Sequence, residues 1–210
     1  SGLGRAGATE RFGTMSLAPH LAQLTRKHPH LSIDLLALPR MLHLSRREAD
    51  IVISLERPTR GSVIVSRLSD YSLYLYGQRE YLARKPLVAT REDLRHHAFV
   101  SYVDDLLFTK ELQFLDALHQ PERFAFRSTS ITAQYEAVRA GAGLAVLPAF
   151  LADRDPVLTR VLPQEGQFTR TFWMSMPSES KHLARMQVTW AFLRETVAAQ
   201  QELLKPKAVR

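Results

Sequence analysis

The residues best suited to chemistry open a segment that spans 124–148, FAFRSTSITAQYEAVRAGAGLAVLP. Ser128, Thr129 and Ser130 stand where a short apolar strand gives way to a helical pattern. A hydroxyl there can cap a helix whose first N–H groups have no partner inside the helix. Those same N–H groups attract anions. Ser130, Ile131 and Thr132 are therefore candidates to receive an anionic group, and a plain cap accounts for Ser130 equally well.

Other candidates sit at strand ends. Thr9, Glu10 and Arg11 follow the first strand, and as loop residues they also read as solvated surface. Glu10 would repel an anion. Arg40 follows the second strand and has the fork that grips a carboxylate in bidentate fashion, or it is a surface arginine. Ser54 follows the third strand with a hydroxyl that donates or accepts. Tyr102 ends a later strand, where it can close over a ligand or fill the core with its hydroxyl at the rim.

Catalytic patterns are missing. The chain has eight histidines but no HExxH spacing, no GxSxG and no glycine-rich phosphate loop. Asp104 and Asp105 are adjacent, so on a strand or turn they point apart. AGAGL lies after a helix and before a strand, the reverse of a dinucleotide fingerprint. No catalytic residue, no metal ligand and no cofactor is expected.

The elements that would position these residues alternate. Ile131, Tyr135, Val138 and Ala142 form a helical stripe, Gly141 and Gly143 stop it, and 144–147 reads as a buried strand closed by Pro148. A strand–helix–strand unit predicts a crossover between parallel strands, with ligands at their carboxyl ends. Near the start, 1–8 is a strand weakened by Gly2, Gly4 and Gly7, and ATERFG is a turn. Ser16 suits the cap of a helix with Leu17, Leu21 and Leu24 inward, and 31–37 is the next strand. A short helix over 41–48, a strand over 51–54 and two strands over 63–67 and 71–76 complete half of a doubly wound fold.

The second half has a helical turn at 80–83, a capping box at Thr90 and Asp93, a strand over 98–102 and a helix over 109–118. Residues 150–162 read as irregular and 169–176 as a strand. The final helix, 180–200, carries Leu183, Met186, Trp190, Leu193 and Val197 at helical period. Packing it on the first half makes the domains discontinuous: 1–76 with 177–200, and 77–176 between them. Two crossing strands near Tyr76 and Trp173 would form the hinge, and 201–210 reads as a disordered tail.

A chain of 210 residues suffices for a real core, with roughly 70–75% of its unfolded surface buried. With no cysteine there are no disulfides and no thiolate metal sites. No apolar run approaches the ~20 residues of a membrane span. The balance of 28 Lys+Arg against 21 Asp+Glu gives +7, and the basic residues are spread rather than gathered in a stripe.

Four stretches in register, FGTMSLAPHLAQLTRKHPHLSIDLLAL, LSRREADIVISLERP, REYLARKPLV and AVRAGAGLAVLPAFLADRDP, resemble the effector-binding domain of LysR-type transcriptional regulators. The resemblance implies an α/β fold of two Rossmann-like subdomains joined by two crossover strands, periplasmic-binding-protein-like of type II. It implies a small-molecule effector, such as a carboxylate or aromatic acid, in the inter-subdomain cleft, with the loop at Thr9, Glu10 and Arg11 among its contacts. It also implies a cytoplasmic bacterial protein that binds promoter DNA through an N-terminal domain not seen in this chain. A homodimer is implied, or a tetramer in the whole protein, with Leu17, Leu21 and Tyr135 as candidate contacts that read equally well as core residues. A transport solute-binding protein of the same fold is the rival reading. It would be monomeric and exported, and LSRREAD argues against it.

Overall fold

A computed structural model of the chain describes residues 2–37, 49–107 and 109–207. The chain divides into two compact units, Ser1–Asp70 with Thr171–Gln201 and Tyr71–Arg170 with Glu202–Arg210. It passes from one unit to the other inside β4 (Val63–Gln78) and inside β9 (Phe168–Pro177). The two strands predicted over 63–67 and 71–76 are one. Ser69 and Asp70 remain in it because their polar groups are satisfied sideways: Gln201 donates to the Ser69 hydroxyl at 2.8 Å and Thr171 to the Asp70 carboxylate at 2.6 Å.

In the first unit, β1 (Gly2–Ala8) runs between β2 (Leu31–Ala37) and β3 (Ile51–Ser54), parallel to both, and β3 pairs antiparallel with β9. A strand this rich in glycine holds because neighbours on both edges supply the order its side chains lack. Small residues also let a helix settle closely, since a Cβ at Gly13 would lie 3.1 Å from that of Ala37.

That helix starts at Glu10, six residues before the predicted cap at Ser16. α1 (Glu10–Phe12), a π turn (Gly13–Leu17) and α2 (Ala18–Lys27) follow without a break, and the Ala18 N–H donates to the Gly13 carbonyl. Pro19 accounts for the wide turn, because it brings no N–H and its ring crowds the preceding carbonyls. Ser16 lies fully buried inside this turn and caps nothing. Phe12 is fully buried and stacks on Phe172 at 4.1 Å between centroids.

Leu17, Leu21 and Leu24 face the core at 0%, 4% and 2% exposure. This corrects the reading of Leu17 and Leu21 as dimer contacts, since side chains enclosed by their own chain have no surface to offer a partner. On the last long helix, α6 (Ala184–Ala198), the buried residues are Met186, Thr189, Leu193, Thr196 and Val197. Leu183 is exposed because the helix begins after it, so the buried stripe includes two threonines that a purely apolar pattern passes over.

In the second unit, β7 (Ala145–Pro148) and β8 (Leu158–Val161) pair antiparallel with β4. β5 (Phe99–Ser101) pairs parallel with β6 (Phe124–Arg127), and Phe99 also bridges Leu144 in parallel. The predicted parallel crossover is therefore present with β5 as its middle member. α3 (Arg79–Ala83) and the Thr90–Asp93 capping box form as predicted. α4 (Ile131–Arg139) ends near Gly141, whose φ of +85° suits glycine. A Cβ at Gly143 would lie 2.3 Å from the Ala98 carbonyl oxygen, so only glycine lets these backbones meet.

Three expectations fail here, each through contacts that the local sequence does not announce. Residues 109–118 form two 3-10 turns, Lys110–Leu112 and Leu115–Ala117, with Leu112 and Leu115 buried as predicted. Arg170 donates to the carbonyls of Glu111 at 2.7 Å and Gln113 at 3.2 Å, acceptors that an α-helix would have used. The stretch read as irregular holds α5 (Ala149–Ala152) and β8, both carrying fully or nearly buried apolar residues. The tail begins with α7 (Gln201–Leu204), because Leu204 is completely buried. The helix predicted over 41–48 lies outside the described residues, as does Arg40.

Candidate functional site

The best-built candidate is the turn that opens α4. Ser128 follows β6, and its N–H donates to the Ser101 carbonyl at 3.0 Å, which ties the turn to the end of β5. The Ser128 hydroxyl accepts from the Ser130 N–H at 3.1 Å, and the Ser130 hydroxyl accepts from the Ala133 N–H at 3.2 Å. Gln134 is 1% exposed and donates through Nε2 to the Ser128 carbonyl at 3.0 Å. The turn is thus held from three directions. The first-turn N–H groups of Ile131 and Thr132 have no acceptor within the helix. No acidic residue lies in that turn to offset the positive end of the helix. Among the described residues, the Thr132 hydroxyl is buried and has no hydrogen-bond partner.

Tyr102 follows β5 directly, and because Ser101 pairs with Arg127, the continued register places it beside Ser128. Burial pushes its phenol well above the usual range. Burial likewise raises that of nearby Tyr71, with Tyr102 adding to the effect and Arg170 opposing it. Both phenols are neutral hydrogen-bonding groups at any physiological pH. The unit thus gathers Tyr102, Ser130, Ile131 and Thr132 around one strand end.

In the first unit, Thr9 caps the carboxyl end of β1 and its carbonyl accepts from the Gly13 N–H at 2.8 Å. Ala6 pairs with Ile51 and Gly7 with Val52, so the continued register sets Thr9 beside Ser54. The Ser54 hydroxyl donates to the Glu56 carbonyl at 2.8 Å, which leaves it only acceptor capacity for a ligand. Glu10 and Arg11 are helical rather than in a turn, with Arg11 half-buried. Thr9 and Ser54 therefore come together, and Arg11 stands two residues on from Thr9, in the first turn of the helix.

Tyr135 is half-buried and its hydroxyl donates to Asp155, which also accepts from Arg139 Nε at 2.9 Å and the Val157 N–H at 2.9 Å. Burial raises the Asp155 pKa, and these three donors outweigh it, so the carboxyl sits below its usual value. A second carboxylate, Asp153, accepts from Tyr76 at 2.6 Å and from Arg160, whose guanidinium lies 3.7 Å over the Tyr74 ring. Both carboxylates come from ADRDP and fix this unit's helix and sheet. Sequence reasoning singled out Ser128 as a capping hydroxyl but missed Gln134 and Asp155 as positioning residues. Gln134 had a signal: it interrupts the apolar stripe of Ile131 and Val138 at helical spacing.

Among the described residues, no group of histidines and carboxylates could hold a metal ion, and no helix is long and apolar enough to cross a membrane.

Residues 1–198 match the family described as the LysR substrate binding domain. An uncharacterized HTH-type transcriptional regulator of Haemophilus influenzae is 24% identical over 164 residues, covering 74% of this chain and 56% of that protein. The Mau operon transcriptional activator of Paracoccus denitrificans is 31% identical over 136 residues, covering 65% of this chain and 44% of that protein. The chain thus spans about half the length of the curated relatives it matches. In structure it is similar to the regulatory domain of CrgA, a LysR-type transcriptional regulator from Neisseria meningitidis, with a TM-score of 0.79 at 20% identity over 94% of this chain and 99% of that one. The effector domain of AmpR from Pseudomonas aeruginosa gives 0.73 at 19% identity over 95% and 97%. The shared architecture is the periplasmic-binding-protein-like fold of type II.

Proposed function

This chain belongs to the LysR substrate binding domain family, and we propose from that premise that it senses a small organic anion, a carboxylate or an aromatic acid, on behalf of a DNA-binding regulator. Its curated relatives are transcriptional regulators, which favours this reading over solute transport or catalysis. The observation that carries it is the α4 start, where the first-turn N–H groups have no acceptor within the helix, the buried Thr132 hydroxyl has no partner among the described residues and no acid stands in the first turn. A carboxylate bound there would accept from the backbone of Ile131 and Thr132 and from the Thr132 hydroxyl. Ser130 keeps its capping role and shapes the turn. Tyr102 covers the ligand, and Thr9, Glu10, Arg11, Arg40 and Ser54 are proposed, separately, as effector contacts of the first unit.

A ligand shifts a regulator only as far as it prefers one state over another, so the output in the whole cytoplasmic protein depends on coupling to its promoter-binding part. Thermal-shift screening of small aliphatic and aromatic acids tests the reading, because a ligand bound only by the native state raises its melting temperature. Hits should lose affinity in Thr132→Val and in Arg40→Ala. Acid hits unaffected by Thr132→Val would remove the α4 start as the site.

We also propose a homodimer built through edge strands. β2 is outermost in its sheet and β6 has β5 as its neighbour. Phe124 and Phe126 of β6 are 36% and 40% exposed, and apolar side chains on an unpaired strand edge favour association. Tyr135, half-buried on α4 with its hydroxyl donating to Asp155, is a further proposed contact.

A further inference from the structure

We infer a second ligand site in the first unit, one that takes a small amphipathic carboxylate and lies apart from the strand carboxyl ends. A cavity of about 290 Å3 opens there, with Pro29, Leu31, Ala184 and Val188 giving it apolar walls and Lys27, His28, His30 and Arg185 surrounding them with basic groups. It sits at the amino ends of β1 and β2, where Gly2 pairs with Leu31. The length of β1 therefore separates it from Thr9, about 20 Å at ~3.3 Å per residue.

Charge is one-sided at this place. The chain has no acidic residue between Glu10 and Asp34, nor between Glu179 and Glu195. Lys27 and His28 have an ordinary explanation, since cations suit the carboxyl end of α2. Arg185 has none. It stands in the first turn of α6, where the helix dipole disfavours a cation. Its Nε is buried and has no hydrogen-bond partner among the described residues. Gly2 is what admits it, because a Cβ there would lie 2.8 Å from the Arg185 Cδ. A guanidinium drawn into an unfavourable place, beside apolar walls and without an acid, is completed by a ligand that brings both a carboxylate and an apolar body. The volume is at the low end for ligand pockets, roughly 300–1,000 Å3, which limits the occupant to one ring or a short chain.

Isothermal titration of the whole chain with phenylacetate at low salt tests this. Saturable binding is expected, weakened at least about tenfold by Arg185→Gln and abolished by Gly2→Leu, whose side chain displaces the Arg185 arm from the cavity. Phenylacetamide, the neutral analogue, should give no saturable heat, and Thr132→Val should bind phenylacetate as the parent does. Melting curves confirm that each variant is folded. The site is overturned if the parent chain shows no saturable binding or if the amide binds as well as the acid. It is equally overturned if Arg185→Gln and Gly2→Leu both titrate like the parent, or if Thr132→Val removes the binding and so assigns it to the α4 start.

Discussion

Replacing Asp155 by alanine should loosen the second unit, and the size of the effect can be worked out from its partners. The side chain is 8% exposed and accepts from the Tyr135 hydroxyl, the Arg139 Nε and the Val157 N–H. Hydrogen bonds to a charged group contribute about 1.5–3 kcal/mol each. The half-exposed Arg139 arm is screened by solvent and adds little. Counting Tyr135 and Val157 at the lower bound gives a loss of about 3 kcal/mol. In a chain of this length that lowers the melting temperature by about 6–12 °C, at roughly 2–4 °C per kcal/mol. Asp155→Asn keeps the size and an acceptor oxygen, so it should lose about half as much.

The pH dependence has a definite sign. Because the folded pKa is below the usual 3.8, the carboxylate's contribution is present above 3.8 and is lost as pH falls through the folded value. The parent and Asp155→Asn should therefore differ at neutral pH and converge in acid below 3.8. Circular-dichroism melts across that range decide the matter. A shift of less than about 2 °C for Asp155→Ala at neutral pH, or a gap that widens in acid, refutes the anchoring role.

Gly143→Ala should destabilise by about 1–3 kcal/mol or more, since its Cβ would meet the Ala98 carbonyl at 2.3 Å. Gly61→Ala should cost only about 1 kcal/mol, because a φ of +80° is unfavourable but nothing lies within 4 Å; urea melts compare the two. Thr132→Val should leave the unliganded stability unchanged or slightly higher while weakening acid binding, because among the described residues its hydroxyl has no partner to lose. Phe126→Glu, at an exposed edge position, should shift analytical ultracentrifugation toward monomer with the melting temperature unchanged. A dimer that survives Phe126→Glu would remove β6 from the interface.

Local signals carried far where one residue acts on its own neighbours. The Ser130 cap, the Thr90–Asp93 box and the Gly141 stop all formed, because each is decided within a few residues by hydrogen-bond geometry or by φ. The alternation of strands and helices was legible for the same reason, and the family likeness was carried separately by four stretches of sequence in register. Where partners lie far apart in sequence, the reading failed. Nothing near 109–118 announces that Arg170 will take the carbonyls of Glu111 and Gln113 and leave only 3-10 turns. Nothing in a row of leucines separates an interface from a core, yet Leu17 and Leu21 are enclosed.

For the candidate site, sequence alone determined which residue types stand at the strand ends, and hence that an anion could be received at Ser130–Thr132. Tertiary structure decided which of those groups are already spoken for. The Ser54 hydroxyl donates to the Glu56 main-chain carbonyl, Tyr135 is held by Asp155, and the Thr132 hydroxyl has no partner among the described residues. The physical reason is that a hydroxyl's availability depends on what lies within about 3 Å of it, and the chain brings those neighbours from far along its length.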